Sequence, residues 1–156
     1  MKNKKINFKS LIISILIPLI FGGIGYLLGG STDIYSVIDK PVFVPPPFIF
    51  PIVWTILYIL MGISFYIVNN SISKEKNDAI LSYFIQLIVN MLWTLFFFRL
   101  HLYLFSFVWI ILLIILVITM IIKFYKIKPL SAYLQIPYLI WISFASILTF
   151  YIYLLN

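Results

Sequence analysis

Five long stretches of this chain carry almost no charge, and that one feature restricts its folding more than any other. Charged side chains fall only at 2–9, 33–40, 74–78, 99 and 123–128, leaving apolar runs near 10–29, 48–69, 80–97, 102–122 and 130–155. Each run is roughly 18–25 residues long, enough for a helix rising about 1.5 Å per residue to cross about 30 Å of hydrocarbon. A lipid surround forces the backbone to satisfy its own hydrogen bonds, which a helix does. Strands of a membrane barrel would read as shorter, alternating segments, and these runs do not alternate. The expected fold is therefore an all-α membrane protein, a five-transmembrane-helix bundle forming one domain over residues 1–156. Composition agrees: 64% of residues are hydrophobic and 10% charged, against about 25% charged in a soluble domain.

Lysine placement gives the expected orientation. Nine of the eleven cationic residues lie in the tail before the first run and in the segments after the second and fourth; only Lys40 and Arg99 lie on the other side. The positive-inside rule then puts the N-terminus in the cytoplasm and the C-terminus outside, with the 30–47 loop facing outward. The net charge of +7 follows this membrane pattern, so no nucleic-acid partner is expected. The lysine-led first run resembles a secretion leader, but it is long and no small-residue cleavage site follows it, so it is read as a retained helix.

The chain has no cysteine, one histidine (His101) and four acidic residues (Asp33, Asp39, Glu75, Asp78). No metal site and no resident cofactor are expected from so few ligands. No ionisable group lies mid-span, which argues against ion pumps, proton relays and voltage sensors. No acid–base pair or nucleophile–base pair is visible either.

Within the runs, Ser82, Gln86, Asn90, Trp93 and Phe97 share one face of the third helix by steps of three and four. Gln86 and Asn90 are costly facing lipid, so this face points inward, either as inter-helix hydrogen bonding or as the wall of a pocket. Trp54, Tyr58, Met61 and Phe65 form a similar stripe on the second helix, and Tyr138, Trp141, Ala145 and Thr149 on the fifth. Such stripes serve core packing or ligand contact, and spacing alone does not bring Trp54 and Trp141 together. Gly25 and Gly29 allow close backbone approach, within the bundle or at a dimer seam. Pro18 is expected to kink the first helix and Pro137 to bend the fifth. The 41–51 prolines stiffen the outward loop and the start of the second helix.

These residues form a series. Lys40-Pro41-Val42-Phe43-Val44-Pro45-Pro46, then Val53-Trp54, Leu57-Tyr58 and Met61-Gly62, resemble the signature of the TspO/MBR family (translocator protein, tryptophan-rich sensory protein). Gln86-Leu87, Asn90, Trp93 and Phe97-Phe98 resemble its third helix; Pro137-Tyr138-Leu139-Ile140-Trp141, Phe144-Ala145 and Leu148 resemble its fifth. The resemblance implies a membrane receptor or sensor that binds porphyrins such as protoporphyrin IX and hydrophobic drug-like ligands, commonly as a homodimer. By position, Tyr35, Trp54, Asn90, Trp93, Tyr138, Trp141 and Ala145 would line the pocket, and Tyr58 and Gln86 join them as expected ligand contacts. It also implies two alternatives: light- and oxygen-dependent porphyrin breakdown, with Trp54 and Trp141 as the reactive pair, or transport of tetrapyrroles and other lipophiles. The expected lack of a cleaved leader and the Lys-rich cytoplasmic tail favour a bacterial plasma membrane, with the mitochondrial outer membrane as the alternative. Ile34, Phe43, Phe105, Trp109 and Thr149 depart from residues frequent in the family, and the expected effect is a pocket rim with fewer polar handles. No cation follows Tyr151 or Tyr153, so a sterol motif is not expected.

Overall fold

The protein is described from a computed structural model covering residues 6–30 and 34–156. Lys2, Lys4 and Lys5 of the cationic tail, and Asp33, lie outside the described residues. Five long apolar spans are present: α1 (Phe8–Gly29), α3 (Ile49–Asn69), α4 (Lys76–Thr94) continued by a π-helical turn to Arg99, α5 (Tyr103–Ile127), and α6 (Pro129–Tyr133) followed by α7 (Ile136–Leu155). A short helix, α2 (Ile34–Val37), interrupts the loop after α1. All five spans are long and apolar enough to cross a bilayer.

Three boundaries differ from the sequence expectation. Helix α4 begins at Lys76 and α5 runs to Ile127, so Asp78, Lys123 and Lys126 sit on helices rather than in loops. The apolar run marks the hydrocarbon, whereas the helix continues as long as its backbone bonds can be made. On these extended ends Lys123 Nζ meets Asp78 Oδ2 at 2.9 Å and donates to Ser82 Oγ at 2.7 Å. Lys123 is half-buried and Asp78 exposed, and ion pairs at such surface positions contribute about 0–1 kcal/mol. The fifth span is broken at Leu134–Gln135. Pro137 therefore occupies the first turn of α7, where its missing N–H costs nothing, rather than bending a continuous helix. Helix α1, by contrast, passes through Pro18 without interruption.

Neighbouring helices are joined by small residues and a few hydrogen bonds, as expected where lipid removes the hydrophobic drive for helix association. Helices α1 and α3 run antiparallel. The Asn7 N–H donates to the Tyr66 hydroxyl at 3.1 Å, and Asn7 Oδ1 caps α1 by accepting from Ser10 N at 3.1 Å. A Cβ built on Gly62 would lie 2.4 Å from Ile15 Cα, so the two backbones cross there in direct contact. Helix α1 lies alongside α4, with Gly25 and Gly29 seated against Met91, Thr94 and Phe98, and Thr94 Oγ1 donates to the Gly25 carbonyl at 2.6 Å. The glycine ridge thus serves packing inside the chain. Helix α5 packs between α4 and α7, and Ser64 Oγ of α3 donates to the Ser131 carbonyl of α6 at 2.7 Å. Ile12, Leu16, Ile20 and Ile24 of α1 face outward, forming the lipid side of the bundle. Lys9, Lys74, Lys76, Lys123, Lys126 and Lys128 share one end; Lys40, Arg99 and His101 share the other.

The π turn decides what the end of α4 presents. Leu100 N donates to the Leu95 carbonyl at 3.0 Å, a wider turn than the α-helix makes. Through this turn Phe97 is buried in the core while Phe98 lines the cavity described next. His101, which follows it, adopts a positive φ of 55° and is exposed, outside the ring-lined interior.

Candidate functional site: an uncharged aromatic cavity

Helices α1, α3, α4 and α7 enclose a cavity of about 650 Å³. Its walls differ in kind. Helix α1 offers backbone, through Gly22, Gly23, Gly25 and Gly29. The facing helices offer rings: Phe50, Trp54 and Tyr58 from α3, Trp93 and Phe98 from the end of α4, and Trp141 from α7. Tyr35 of α2, with Pro47 and Pro51, lines the end near Lys40, and Ala145, Leu148 and Thr149 continue the α7 wall. Among the described lining residues none is Lys, Arg, His, Asp or Glu.

Local packing sets the rings. Trp54 stacks on Tyr58 (centroids 5.4 Å apart, planes 29° apart) and meets Tyr138 edge-on at 6.2 Å. Trp93 stacks on Phe97 at 5.0 Å, and Phe50 meets Trp141 at 5.8 Å. Tyr35 rests among Phe50, Phe97 and Phe98, and burial pushes its phenol above its ordinary pKa, so it stays neutral. The Tyr35 carbonyl accepts from the Lys40 ammonium.

The polar groups are few. Asn90 Nδ2 donates to the Tyr138 hydroxyl at 2.7 Å, which donates to Gln86 Oε1 at 2.9 Å. The Asn90 amide oxygen has no partner among the described residues, so it is an acceptor available to the cavity. Thr55, Thr94 and Thr149 donate their hydroxyl protons to backbone carbonyls at 2.7, 2.6 and 2.8 Å, leaving only weak acceptors on the wall. The indole N–H groups of Trp93 and Trp141 meet no acceptor among the described residues. Apolar walls with a small number of polar groups characterise small-molecule pockets, whose volumes run about 300–1,000 Å³.

Of the nine residues expected at the site, Tyr35, Trp54, Tyr58, Asn90, Trp93, Trp141 and Ala145 line the cavity. Gln86 and Tyr138 do not; both are fully buried one layer behind Asn90, where they hold its amide. Periodicity identified the inward face of each helix but not which inward residues lie behind others. The Ile34 side chain lies outside the described residues, and of the other four departures from family residues only Thr149 touches the cavity. Phe43 packs on Tyr151 and Phe144, whereas Phe105 and Trp109 cluster with Phe96, and Trp109 Nε1 donates to the Val89 carbonyl at 2.8 Å. Their expected influence on the rim is therefore confined to Thr149. The glycine wall, Thr94 and Phe50 were not anticipated as lining. Gly22 carried a signal in its spacing from Gly25 and Gly29, but glycine clusters also serve packing, and here they do both.

The sequence model of the TspO/MBR family matches residues 14–155. The chain belongs to the TspO/MBR family. It is 39% identical to "Tryptophan-rich protein TspO" of Archaeoglobus fulgidus over 96% of this chain and 99% of that protein. It is 35% identical to the protein of the same name from Chlorobaculum tepidum, over 99% of each. It is also 36% identical to "Protein CrtK" of Rhodobacter capsulatus, over 78% of each. Five apolar spans and bacterial relatives make this TspO/MBR protein an integral protein of a bacterial plasma membrane.

One variant tests whether the glycine wall shapes the TspO/MBR cavity. A Cβ on Gly22 would fall 2.3 Å from the Tyr58 ring, which cannot swing away without disturbing its stack on Trp54. Gly22→Ala is expected to shift the tryptophan emission of the folded protein and to weaken ligand binding about tenfold, roughly 1.4 kcal/mol. Unchanged emission and affinity would show that Tyr58 has room the packing does not reveal.

Proposed function

We propose that this protein is a membrane receptor or sensor that takes protoporphyrin IX, or a similarly planar hydrophobic ligand, into the cavity between α1, α3, α4 and α7. The observation that carries the reading is the meeting of three indoles, Trp54, Trp93 and Trp141, around one uncharged cavity of about 650 Å³. A flat conjugated ring stacks on such faces, and Asn90 supplies an acceptor for a pyrrole N–H. The neutral walls suit the ring better than its carboxylates, which would stay toward the end near Lys40. In this reading the lysine-rich end faces the cytoplasm and the protein works as a homodimer. Its seam lies away from Gly25 and Gly29, since α4 covers both.

A second reading, light-driven breakdown of the bound ring, draws on Trp54 and Trp141 lining the same cavity. One experiment separates the two. Purified protein is titrated with protoporphyrin IX in the dark while tryptophan fluorescence is followed, and the porphyrin absorbance is then followed under light and air. Saturable quenching without protein-dependent bleaching is the expected result for a receptor. Bleaching that disappears in Trp54→Phe and Trp141→Phe would favour breakdown instead, and absence of both quenching and bleaching would remove the porphyrin from consideration.

A further inference from the structure

The α3 and α7 spans stand side by side but pack unequally along their length. At the lysine-rich end the Ser64 hydroxyl donates to the Ser131 carbonyl at 2.7 Å and draws α3 onto α6. Beyond that bond, close backbone packing joins α3 to α1 and α7 to α5, whereas α3 and α7 meet chiefly through rings, Phe50 with Trp141 and Trp54 with Tyr138. A second hollow lies between them, a groove of about 580 Å³. Val53, Ile56 and Leu57 line it from α3, and Ile136, Ile140 and Phe144 from α7. Ile56 and Ile140 are 53% and 66% exposed, so the groove opens sideways onto the lipid. Its described lining includes no charged, hydroxyl or amide side chain.

Trp141 is the single described residue that lines both this groove and the aromatic cavity. Its indole N–H makes no hydrogen bond among the described residues. Ring contacts set its place instead, with Phe50 at 5.8 Å and Phe144 at 5.7 Å. Phe50 belongs to the cavity and Phe144 to the groove. One indole is therefore the partition between two hollows, and whatever fills the groove bears on it.

The chemistry of the groove selects its occupant. Water finds no polar partners there, and a gap left unfilled forfeits the dispersion contacts of its lining. The groove is continuous with the lipid-facing surface of two membrane spans. From Ile136 to Phe144 it follows α7 for about 12 Å. One leaflet of a bilayer holds its chains in about 15 Å, half of a core about 30 Å thick. We infer that an acyl chain of a membrane lipid seats in the groove between α3 and α7 and backs Trp141, so that the bilayer completes one wall of the aromatic cavity. A chain that fills the groove holds the indole against Phe50; a methyl-branched chain that seats poorly leaves it looser. The site stands whether or not a porphyrin is the cavity ligand.

Photolabelling tests it on the full chain in phosphatidylcholine vesicles that contain a trace of phosphatidylcholine with a mid-chain diazirine. Adducts mapped by peptide mass spectrometry are expected to be severalfold denser on residues 53–57 and 136–144 than on the comparably exposed stripe of α1, Ile12, Leu16, Ile20 and Ile24. Ile140→Trp, which fills the groove, should abolish that enrichment and leave labelling of α1 unchanged, a sign that the variant is folded in the membrane. Equal density on the two surfaces, enrichment that persists in Ile140→Trp, or protection of the groove by a second copy overturns the inference. The link to Trp141 has its own readout. Tryptophan emission is expected to shift between vesicles of linear-chain and methyl-branched phosphatidylcholine, and the shift to shrink in Trp141→Phe. No shift, or one equally large in that variant, overturns the backing of Trp141 by lipid.

Discussion

Gly62→Ala is expected to lower the unfolding midpoint sharply, although it adds a single methyl group. The added carbon would lie 2.4 Å from Ile15 Cα, 2.8 Å from the Ser14 carbonyl oxygen and 2.9 Å from Ile15 N. These are backbone atoms, so no rotamer change on α1 can clear the space; the helix itself must lift from α3. Overpacking costs about 1–3 kcal/mol and sometimes more, and a rigid backbone neighbour puts this case at the upper end. Gly23→Ala is the matched control, because its Cβ meets nothing within 4 Å. Alanine there should cost little, given its better helix propensity. Thermal unfolding of both variants in the same detergent checks the contrast. Equal midpoints would mean that α1 and α3 are not locked where the structure brings their backbones together. Since α1 also carries the glycine wall of the cavity, Gly62→Ala should weaken ligand binding along with stability.

Tyr138→Phe is the second substitution with a large expected effect. The phenol hydroxyl is the only hydrogen-bond partner, among the described residues, of both Asn90 Nδ2 and Gln86 Oε1. Its loss leaves two buried polar groups unpaired, at about 1–3 kcal/mol each. The Asn90 amide is also freed to turn, so ligand affinity should fall with stability even though Tyr138 itself does not line the cavity. The double variant Tyr138→Phe with Gln86→Met removes one of the two stranded groups. It should be more stable than the sum of the single changes predicts, as coupling between neighbours requires. Strict additivity, measured by denaturation of the single and double variants, would show that the three residues do not act as one network.

Much of this structure could be read from the chain, for physical reasons that also mark where reading fails. The five spans follow from run length, because a bilayer imposes a nearly fixed thickness. Helix ends do not follow from it: Asp78 and Lys123 extend their helices past the apolar run and pair beyond it. Pro137 announced a disturbance in the fifth span, but the break lies two residues earlier, since proline is tolerated in a first turn. At the site, periodicity placed Gln86 and Tyr138 correctly on inward faces and could not tell a wall from the layer behind it. That Trp54 and Trp141 line one cavity is set by how α3 and α7 are placed around it, which the spacing around either indole does not encode. The glycine wall was hardest to see, because a residue without a side chain shows its role only when its neighbours are known.

The segment after α2 is tied to the far end of α7 by few contacts. Asp39 N donates to Asn156 Oδ1 at 3.1 Å, Asn156 Nδ2 returns a bond to the Asp39 carbonyl at 3.0 Å, and Phe43 meets Tyr151 edge-on at 5.3 Å. Such contacts contribute about 1 kcal/mol each. Parting these three costs on the order of a few kcal/mol, to which the Phe43–Phe144 contact and the packing of Ile38 and Val44 against the core add. Asn156→Ala shifts the balance toward the unlatched form, so guest exchange should quicken in both directions.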